Sequence, residues 1–216
     1  MRAGSIAIVA ASVALLPGAA WADRGALTLD VGPALTWWPS MPPSLGTGSG
    51  VGGTSGGGLV GVRYAPRDDL EVTLSGFYEA PADFTNATTT LRTDAGPFTG
   101  TFTSRLGRWG VLGGARLVRG LVWRWFVGGE VGWAVQDVTR QDLVNVSDPA
   151  NPHSFGLGLQ DRSRGALVVS PLAGVEWQVT DHWSAAFTSR IQALVGGTGR
   201  AGVVLALGVG YSWYGL

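Results

Sequence analysis

The chain has 216 residues with 15 basic and 15 acidic side chains, every base being arginine, and it contains no cysteine. The balanced charge argues against nucleic-acid binding, which depends on clustered positive charge, and the missing cysteines exclude disulfides, thiolate zinc sites and cysteine nucleophiles. Only 14% of residues are charged, whereas Gly (35) and Trp (10) are abundant, so the composition favours a large apolar surface over a common soluble enzyme.

The first 22 residues have the pattern of a secretory signal peptide. Arg2 precedes an apolar run over residues 6–16, and the small-x-small sequence Ala20-Trp21-Ala22 follows a Pro-Gly break. This order predicts cleavage after Ala22. The alternative, an uncleaved membrane anchor, is disfavoured because the apolar run is shorter than the roughly 20 residues that span a bilayer as a helix. We therefore expect a barrel domain over residues 23–216.

Eight segments after residue 22 alternate apolar and small or polar residues with a period of two, the spacing that places side chains on opposite faces of a strand. In the fifth segment, for example, Val131 and Trp133 alternate with Glu130 and Gly132. Most segments exceed the five or six residues typical of soluble strands and suit a tilted membrane-spanning strand of about 9–11 residues. The sequence predicts an all-β, eight-stranded antiparallel up-and-down transmembrane β-barrel, with segments at 26–37, 57–64, 70–78, 108–117, 123–135, 167–179, 183–195 and 203–213.

The connections between these segments alternate in length. Short turns are predicted at 66–69, 118–122 and 180–182. Loops are predicted at 39–56, 79–107, 137–165 and 196–200, and the first three of these are long. Short turns at one end and long loops at the other are typical of outer-membrane barrels. Pro33 and Pro171 lie inside predicted strands, where proline removes a ladder donor, so we expect a bulge at each or a strand that begins after Pro171.

The charged residues of the segments all lie on the face opposite the apolar one. A secreted soluble barrel with an apolar interior is the alternative, but a lipid-facing surface would enforce this separation, because a mid-bilayer base costs about 2–4 kcal/mol. The polar face is therefore predicted to line the lumen, and its ions are expected to pair. Pairing would form a structural plug; the alternative is a narrow polar path. One layer near the periplasmic end comprises Arg63, Glu71, Arg116, Arg124 and Glu176, and mid-height positions hold Asp30, Glu130 and Arg190.

Aromatic residues on the apolar face fall near the two ends of the segments. Trp and Tyr prefer membrane interfaces, so we predict two belts that flank an apolar band. The inner belt comprises Tyr64, Trp123, Trp125, Trp177, Trp183, Tyr211 and Trp213. The outer belt comprises Trp37, Tyr78, Trp109 and Trp133.

The last segment carries Gly208-x-x-Tyr211-x-Trp213, which resembles the terminal strand by which bacterial outer-membrane barrels are recognised for assembly. The glycine-rich sequences at 127–133, 173–177 and 207–211 also resemble strands of small outer-membrane β-barrel proteins of the OmpA/OmpX/OmpW kind. The resemblance implies location in the bacterial outer membrane, with membrane lipid and the barrel assembly machinery as partners, and implies almost nothing about activity.

Motifs for catalysis or cofactors carry little weight. Gly48-x-Gly50-x-x-Gly53 matches a dinucleotide fingerprint but lies in a Gly/Ser-rich stretch without a following helix. His182-x-Ser184 resembles the His-x-Ser pair of outer-membrane lipid A deacylases, yet no acid follows it, so a turn histidine is favoured. His153 has acidic neighbours without metal-ligand spacing. We therefore predict no catalytic residue, no metal site and no cofactor.

Three functions remain open from the sequence. The favoured one is a non-enzymatic outer-membrane barrel with a structural or surface-interaction role carried by long loops at 79–107 and 137–165, because binding usually resides on exposed loops. A narrow channel for small solutes is the second. A lipid-modifying enzyme is the third and weakest, for want of a nucleophile, base and acid set. The sequence identifies no extracellular ligand.

Overall fold

A computed structural model of the chain describes residues 24–41, 51–85, 89–93, 96–145, 154–156, 162–195 and 200–214. The expected signal peptide and its cleavage site after Ala22 lie outside these residues, as does His153. In the described part of the chain, no helix is long and apolar enough to cross a membrane.

The described chain is almost entirely antiparallel β-sheet, and eight of its strands close into a barrel. In spatial order the barrel runs β1, β2, β3, β5, β6, β8, β9 and β10, and β10 pairs with β1 to complete the ring. Two short strands, β4 and β7, pair only with the far ends of β5 and β6. The predicted eight-stranded barrel is confirmed. The strands are β1 (Leu27–Met41), β2 (Val51–Arg67), β3 (Leu70–Thr85), β4 (Thr89–Thr93), β5 (Gly96–Gly120), β6 (Trp123–Asn145), β7 (Ser154–Gly156), β8 (Arg162–Gln178), β9 (Trp183–Val195) and β10 (Arg200–Trp213).

Alternate side chains point outward and inward along every barrel strand, as the period-two pattern predicts. Val131 and Leu74 are more than half exposed on the outside, at 52% and 58%, whereas Glu130 and Glu71 are buried inside. A soluble barrel would show the reverse arrangement. The apolar surface of this barrel therefore faces outward and its ions face the lumen, which is the arrangement of a transmembrane barrel.

The strands extend well beyond the boundaries predicted from the apolar pattern. β5 and β6 contain 25 and 23 residues, and β3 continues to Thr85. The prediction of loops was therefore wrong over most of 79–107 and over 137–145, 154–156 and 162–165. The assignment of residues 39–41 and 51–56 to a loop was wrong as well. Beyond the bilayer the outward face no longer has to be apolar, so the alternation lapses while the backbone ladder continues.

Two short strands and the far ends of β5 and β6 form a small sheet beyond the barrel, which we term the outer blade. It consists of β4, residues 96–103 of β5, residues 142–145 of β6, and β7. The backbone ladder joins β4 to β5, β5 to β6 and β6 to β7. The described parts of the connections at 79–107 and 137–165 thus contribute strands that project on the side opposite the short turns.

The two internal prolines do not produce the expected bulges. Pro33 pairs in register with Gly58 of β2, and Pro171 pairs in register with Gly129 of β6. On its other side, each proline interrupts the pairing with the neighbouring strand, while the register on either side of the gap is the same. The β1–β10 ladder lacks pairs at residues 32 and 33 of β1, and the β8–β9 ladder lacks pairs at residues 170 and 171 of β8. A missing N–H is therefore accommodated by two absent ladder positions rather than by an extra residue.

The short turns and both described ends of the chain lie at one end of the barrel. At the β5–β6 turn, Gly120 has φ of +111°, and a Cβ at this position would lie 2.1 Å from the carbonyl oxygen of Trp123. Only glycine meets both requirements without strain.

Candidate functional site

The lumen contains a buried ion network at the end with the short turns. The Nη1 atom of Arg63 donates to Glu71 at 3.0 Å and to Glu176 at 2.8 Å, and the same guanidinium also pairs with Asp30. These residues come from β2, β3, β8 and β1, so one arginine links opposite walls of the barrel. The strand positions place Asp30 near mid-height, and this pairing joins it to the layer below.

Two further arginines complete this network. Arg116 donates to Glu71 at 2.6 Å and to Glu176 at 2.9 Å. Arg124 donates to Glu71 at 3.1 Å and lies 3.5 Å from Glu176. Each of the two glutamates therefore contacts three arginines, a charge-assisted arrangement that satisfies buried acids with several donors. The structure brings together the five residues that the sequence places in one layer.

A second ion pair lies further along the lumen. Arg190 of β9 donates to Glu130 of β6 at 2.6 Å, and Thr73 donates its hydroxyl to the same carboxylate at 2.9 Å. Between this pair and the network lies a chamber of about 70 Å³, which Asp30, Thr188 and Arg190 help to line. Its lining is largely apolar, with polar groups supplied by residues such as Thr73 and Glu130, and it has room for several waters.

A third ion pair was missed from the predicted network. Arg108 pairs with Glu79 and donates to Gln192 at 2.5 Å, and Thr36 donates to the same glutamate at 3.0 Å. The sequence placed Arg108 on the inward face without assigning it to a layer, and it placed Glu79 in a loop. Continuing the period of two from Glu71 through residues 73, 75 and 77 would have found Glu79.

An apolar layer closes the lumen at the end opposite the short turns, and the sequence did not predict it. Trp38 is fully buried there, and the guanidinium carbon of Arg108 lies 4.1 Å from the centroid of its ring, within the range of a cation–π contact. The missed signal is again periodicity, because Trp38 follows Thr36 on the inward face. The layer consists of Trp38, Phe77, Phe84, Leu106, Leu112, Ala134, Val138, Val168 and Leu194.

The ions of the lumen balance within the described residues. Five inward arginines (Arg63, Arg108, Arg116, Arg124 and Arg190) contact five inward acids (Asp30, Glu71, Glu79, Glu130 and Glu176). Neutral, mutually paired ions form a packed interior rather than a selective ring, which would carry an excess of one sign. An eight-stranded barrel is narrow enough for side chains to fill it, and here the network and the apolar layer do so.

The outward aromatic residues lie near the two ends of the strands. At the short-turn end, Trp123 stacks on Trp177 with ring centroids 5.7 Å apart, and Tyr211 packs edge-on against Trp183 and Trp213. Trp125 and Tyr64 lie at the same end. At the other end, Tyr78 pairs across the ladder with Trp109, and Trp37 and Trp133 are about half exposed. Two aromatic belts with an apolar band between them are the arrangement that interfacial Trp and Tyr favour.

The weak catalytic motif does not form a nucleophile–base pair. The Nδ1 atom of His182 lies 2.9 Å from the backbone oxygen of Ser212, and its ring stacks near Tyr211 and Tyr214. Ser184 is buried on the inward face, and its hydroxyl has no hydrogen-bond partner among the residues that the structure describes. His182 thus holds the end of β10 against the β8–β9 turn. Gly208, Tyr211 and Trp213, the residues predicted to carry an assembly signal, all lie in β10.

The described residues support neither the dinucleotide fingerprint nor a metal site. Gly53 is part of β2 and lies across from Trp38 of β1, so a strand rather than a helix follows the glycine-rich stretch. Among the described residues, no group of three or more His, Cys, Asp or Glu side chains is placed to hold a metal ion.

Known structures with similar backbones are small outer-membrane barrels. Ail, the attachment invasion locus protein of Yersinia pestis, matches with a TM-score of 0.50 and 13% identity over 88% of this chain and 99% of that chain. Neisserial surface protein A matches with a TM-score of 0.56 and 12% identity over 87% and 99% of the respective chains. The outer membrane protein OprG from Pseudomonas aeruginosa matches with a TM-score of 0.54 and 12% identity over 89% and 97%.

No protein-family model matches the chain, and no curated protein matches it. At identities this low the shared feature is the fold. The chain therefore has the fold of small eight-stranded outer-membrane barrels, and its activity has to be argued from its own residues.

Proposed function

We propose that this protein is a non-enzymatic, non-conducting barrel of the bacterial outer membrane that displays the outer blade as a surface-interaction or structural element. The carrying observation is the filled lumen, because paired ions close one end and the apolar layer closes the other. A barrel that offers no continuous path has the projecting strands as its accessible surface outside the membrane. Binding usually resides on such exposed segments above a rigid scaffold.

Membrane insertion follows from the outward surface. The apolar band and its two belts span about eight residues of β6, from Trp125 to Trp133, which corresponds to roughly 20 Å of height at a tilt near 40°. This matches the outward apolar band of outer-membrane barrels, which is about 25 Å tall. Export through cleavage after Ala22, assembly by the barrel assembly machinery and contact with outer-membrane lipid belong to the same proposal.

Cell fractionation tests this location. We expect the full chain in the outer-membrane fraction, migrating faster in unboiled than in boiled gel samples, with a mature N-terminus at Asp23. Recovery of soluble protein from the periplasm without a mobility shift would contradict the proposal.

Planar-bilayer recording tests the closed lumen. We expect no conductance steps from the wild-type protein, because the apolar layer excludes hydrated ions. Arg124→Ala and Glu130→Ala should stay silent as well, since neither residue belongs to that layer. Reproducible steps from wild type that change size in these two variants would favour the channel alternative instead.

A further inference from the structure

The lipid-facing surface carries an open groove that crosses β6, β8, β9, β10 and β1. Its volume is about 440 Å³, and its lining is almost wholly apolar. Trp123 and Trp177 form one end and Pro33 lies at the other. Phe187 and Leu207 form part of the same lining, and Ala185 is its smallest outward side chain.

The groove follows one row of paired residues across the sheet. Trp123 pairs with Trp177, Trp177 with Ala185, Ala185 with Val209, and Val209 with Val31. Ala185 is thus the low point of the row, because its paired neighbours Trp177 and Val209 have larger side chains. Pro33 and Leu207 lie opposite each other in the interrupted part of the β1–β10 ladder.

This row climbs from the interface into the hydrocarbon depth. Trp123 is the first residue of β6, and Trp177 is the last but one of β8. Val31 is the fifth residue of β1, counted from the same end of the barrel. Four strand spacings of about 4.8 Å give a path of roughly 19 Å. One leaflet of the hydrocarbon core is about 15 Å thick, so an oblique path of this length runs from the belt to near mid-bilayer.

We propose that the groove binds one acyl chain of a bilayer phospholipid, whose ester carbonyls meet the Trp123–Trp177 pair. The proposal rests on the membrane insertion proposed above. At the depth of the groove the surrounding medium is hydrocarbon, and the groove is open to it along an apolar row that a linear chain can follow.

The tryptophan pair supplies the polar end of the site. Trp123 and Trp177 are 65% and 44% exposed, and their rings are nearly parallel, with an interplanar angle of 12°. Indole N–H groups seek acceptors at the membrane interface, while the ring faces contact hydrocarbon. The ester carbonyl oxygens of phospholipids are hydrogen-bond acceptors at this interface, where each acyl chain begins.

Native mass spectrometry of the full chain, released from detergent micelles with dimyristoylphosphatidylcholine, tests the site. We expect one retained phospholipid on wild type. Ala185→Phe should weaken retention at least about tenfold by filling the groove. The matched control is Ala115→Phe, an outward alanine on β5 that is exposed and remote from the groove, and it should retain lipid like wild type. If Ala185→Phe does not fold, Val209→Phe replaces it, because Val209 lies beside Ala185 in the row.

Three results would overturn the proposal: equal retention in Ala185→Phe and Ala115→Phe, no retained phospholipid on folded wild type, or a dimer that Ala185→Phe abolishes. The heat-dependent mobility shift in phosphatidylcholine vesicles separates this failure from failure of the proposed function. A wild-type protein that inserts and shifts but holds no lipid contradicts only the groove.

Discussion

In the ion network at the short-turn end of the lumen, each of two glutamates contacts three arginines instead of forming a single one-to-one pair. Glu176 contacts Arg63, Arg116 and Arg124 and is almost fully buried. Removing one member of a buried ionic network leaves its partners without an opposite charge in a medium of low dielectric constant. The free energy lost in this way exceeds the net contribution of the intact network to stability.

We expect Glu176→Gln to lower the free energy of unfolding by about 3–5 kcal/mol, because it leaves three buried arginines short of negative charge. Urea unfolding of the vesicle-inserted protein, followed by tryptophan fluorescence, measures this change. Asp69→Asn is the matched control: Asp69 lies 3.8 Å from Arg119 in an exposed pair, whose loss should cost at most about 1 kcal/mol. Equal effects of the two substitutions would contradict the network's role.

The sequence identified most inward ions but not their partners. Arg63, Glu71 and Glu176 could be assigned to one face and one height because both follow from period and strand position. Which guanidinium reaches which carboxylate depends on side-chain packing across the lumen, and so the link between Arg63 and Asp30 was not predictable. Trp38 and Glu79 were missed for a different reason, namely that each lies just beyond a predicted strand end.

At the scale of strands and turns, the bilayer makes the outward face of each strand predictable from the sequence but does not determine where the strands end. The outward face between the belts must be apolar, so all eight registers follow from alternation. The continuation of β5 to Gly96 and of β6 to Asn145 depends on backbone pairing outside the apolar band, where no such constraint marks the sequence. The prolines were misjudged because an interrupted ladder needs no extra residue.

Depth should govern the cost of an outward charge. We expect Val60→Arg to destabilise the inserted barrel by about 2–4 kcal/mol, because Val60 faces outward four residues from Tyr64 of the inner belt, which places it near the middle of the apolar band. Val179→Arg, outward at the short-turn rim, should cost only about 0–1 kcal/mol. Urea titration in vesicles compares the two, and a rim substitution as costly as the central one would argue against the assigned band.

The β5–β6 turn should depend on its glycine. Gly120→Ala places a Cβ against the Trp123 carbonyl at a positive φ, so we expect a loss of about 1–3 kcal/mol. Gly56→Ala is the control, since a Cβ there meets no atom within 4 Å. The midpoint of the heat-dependent gel shift reports both variants, and an unchanged midpoint for Gly120→Ala would show that the turn relaxes freely.

For the whole molecule, the barrel should insert without β4 and the far end of β5. Thr85 of β3 pairs with Thr103 of β5, so a tight turn can replace residues 86–102 without disturbing the barrel ladder below. We expect the shortened protein to insert into vesicles and to show the heat-dependent mobility shift of wild type. Loss of insertion would mean that the outer blade is part of the folding unit.

The seam between β1 and β10 has a mechanical consequence. None of the lumen ion pairs among the described residues includes a side chain of β10. The paired ions are supplied by the other seven barrel strands, so they can assemble in a curled sheet that is still open. β10 then closes the barrel through main-chain hydrogen bonds and a contact of 2.8 Å between the hydroxyls of Thr28 and Ser212, and under tension the cylinder should open first along this junction, where the ladder lacks two positions at Pro33.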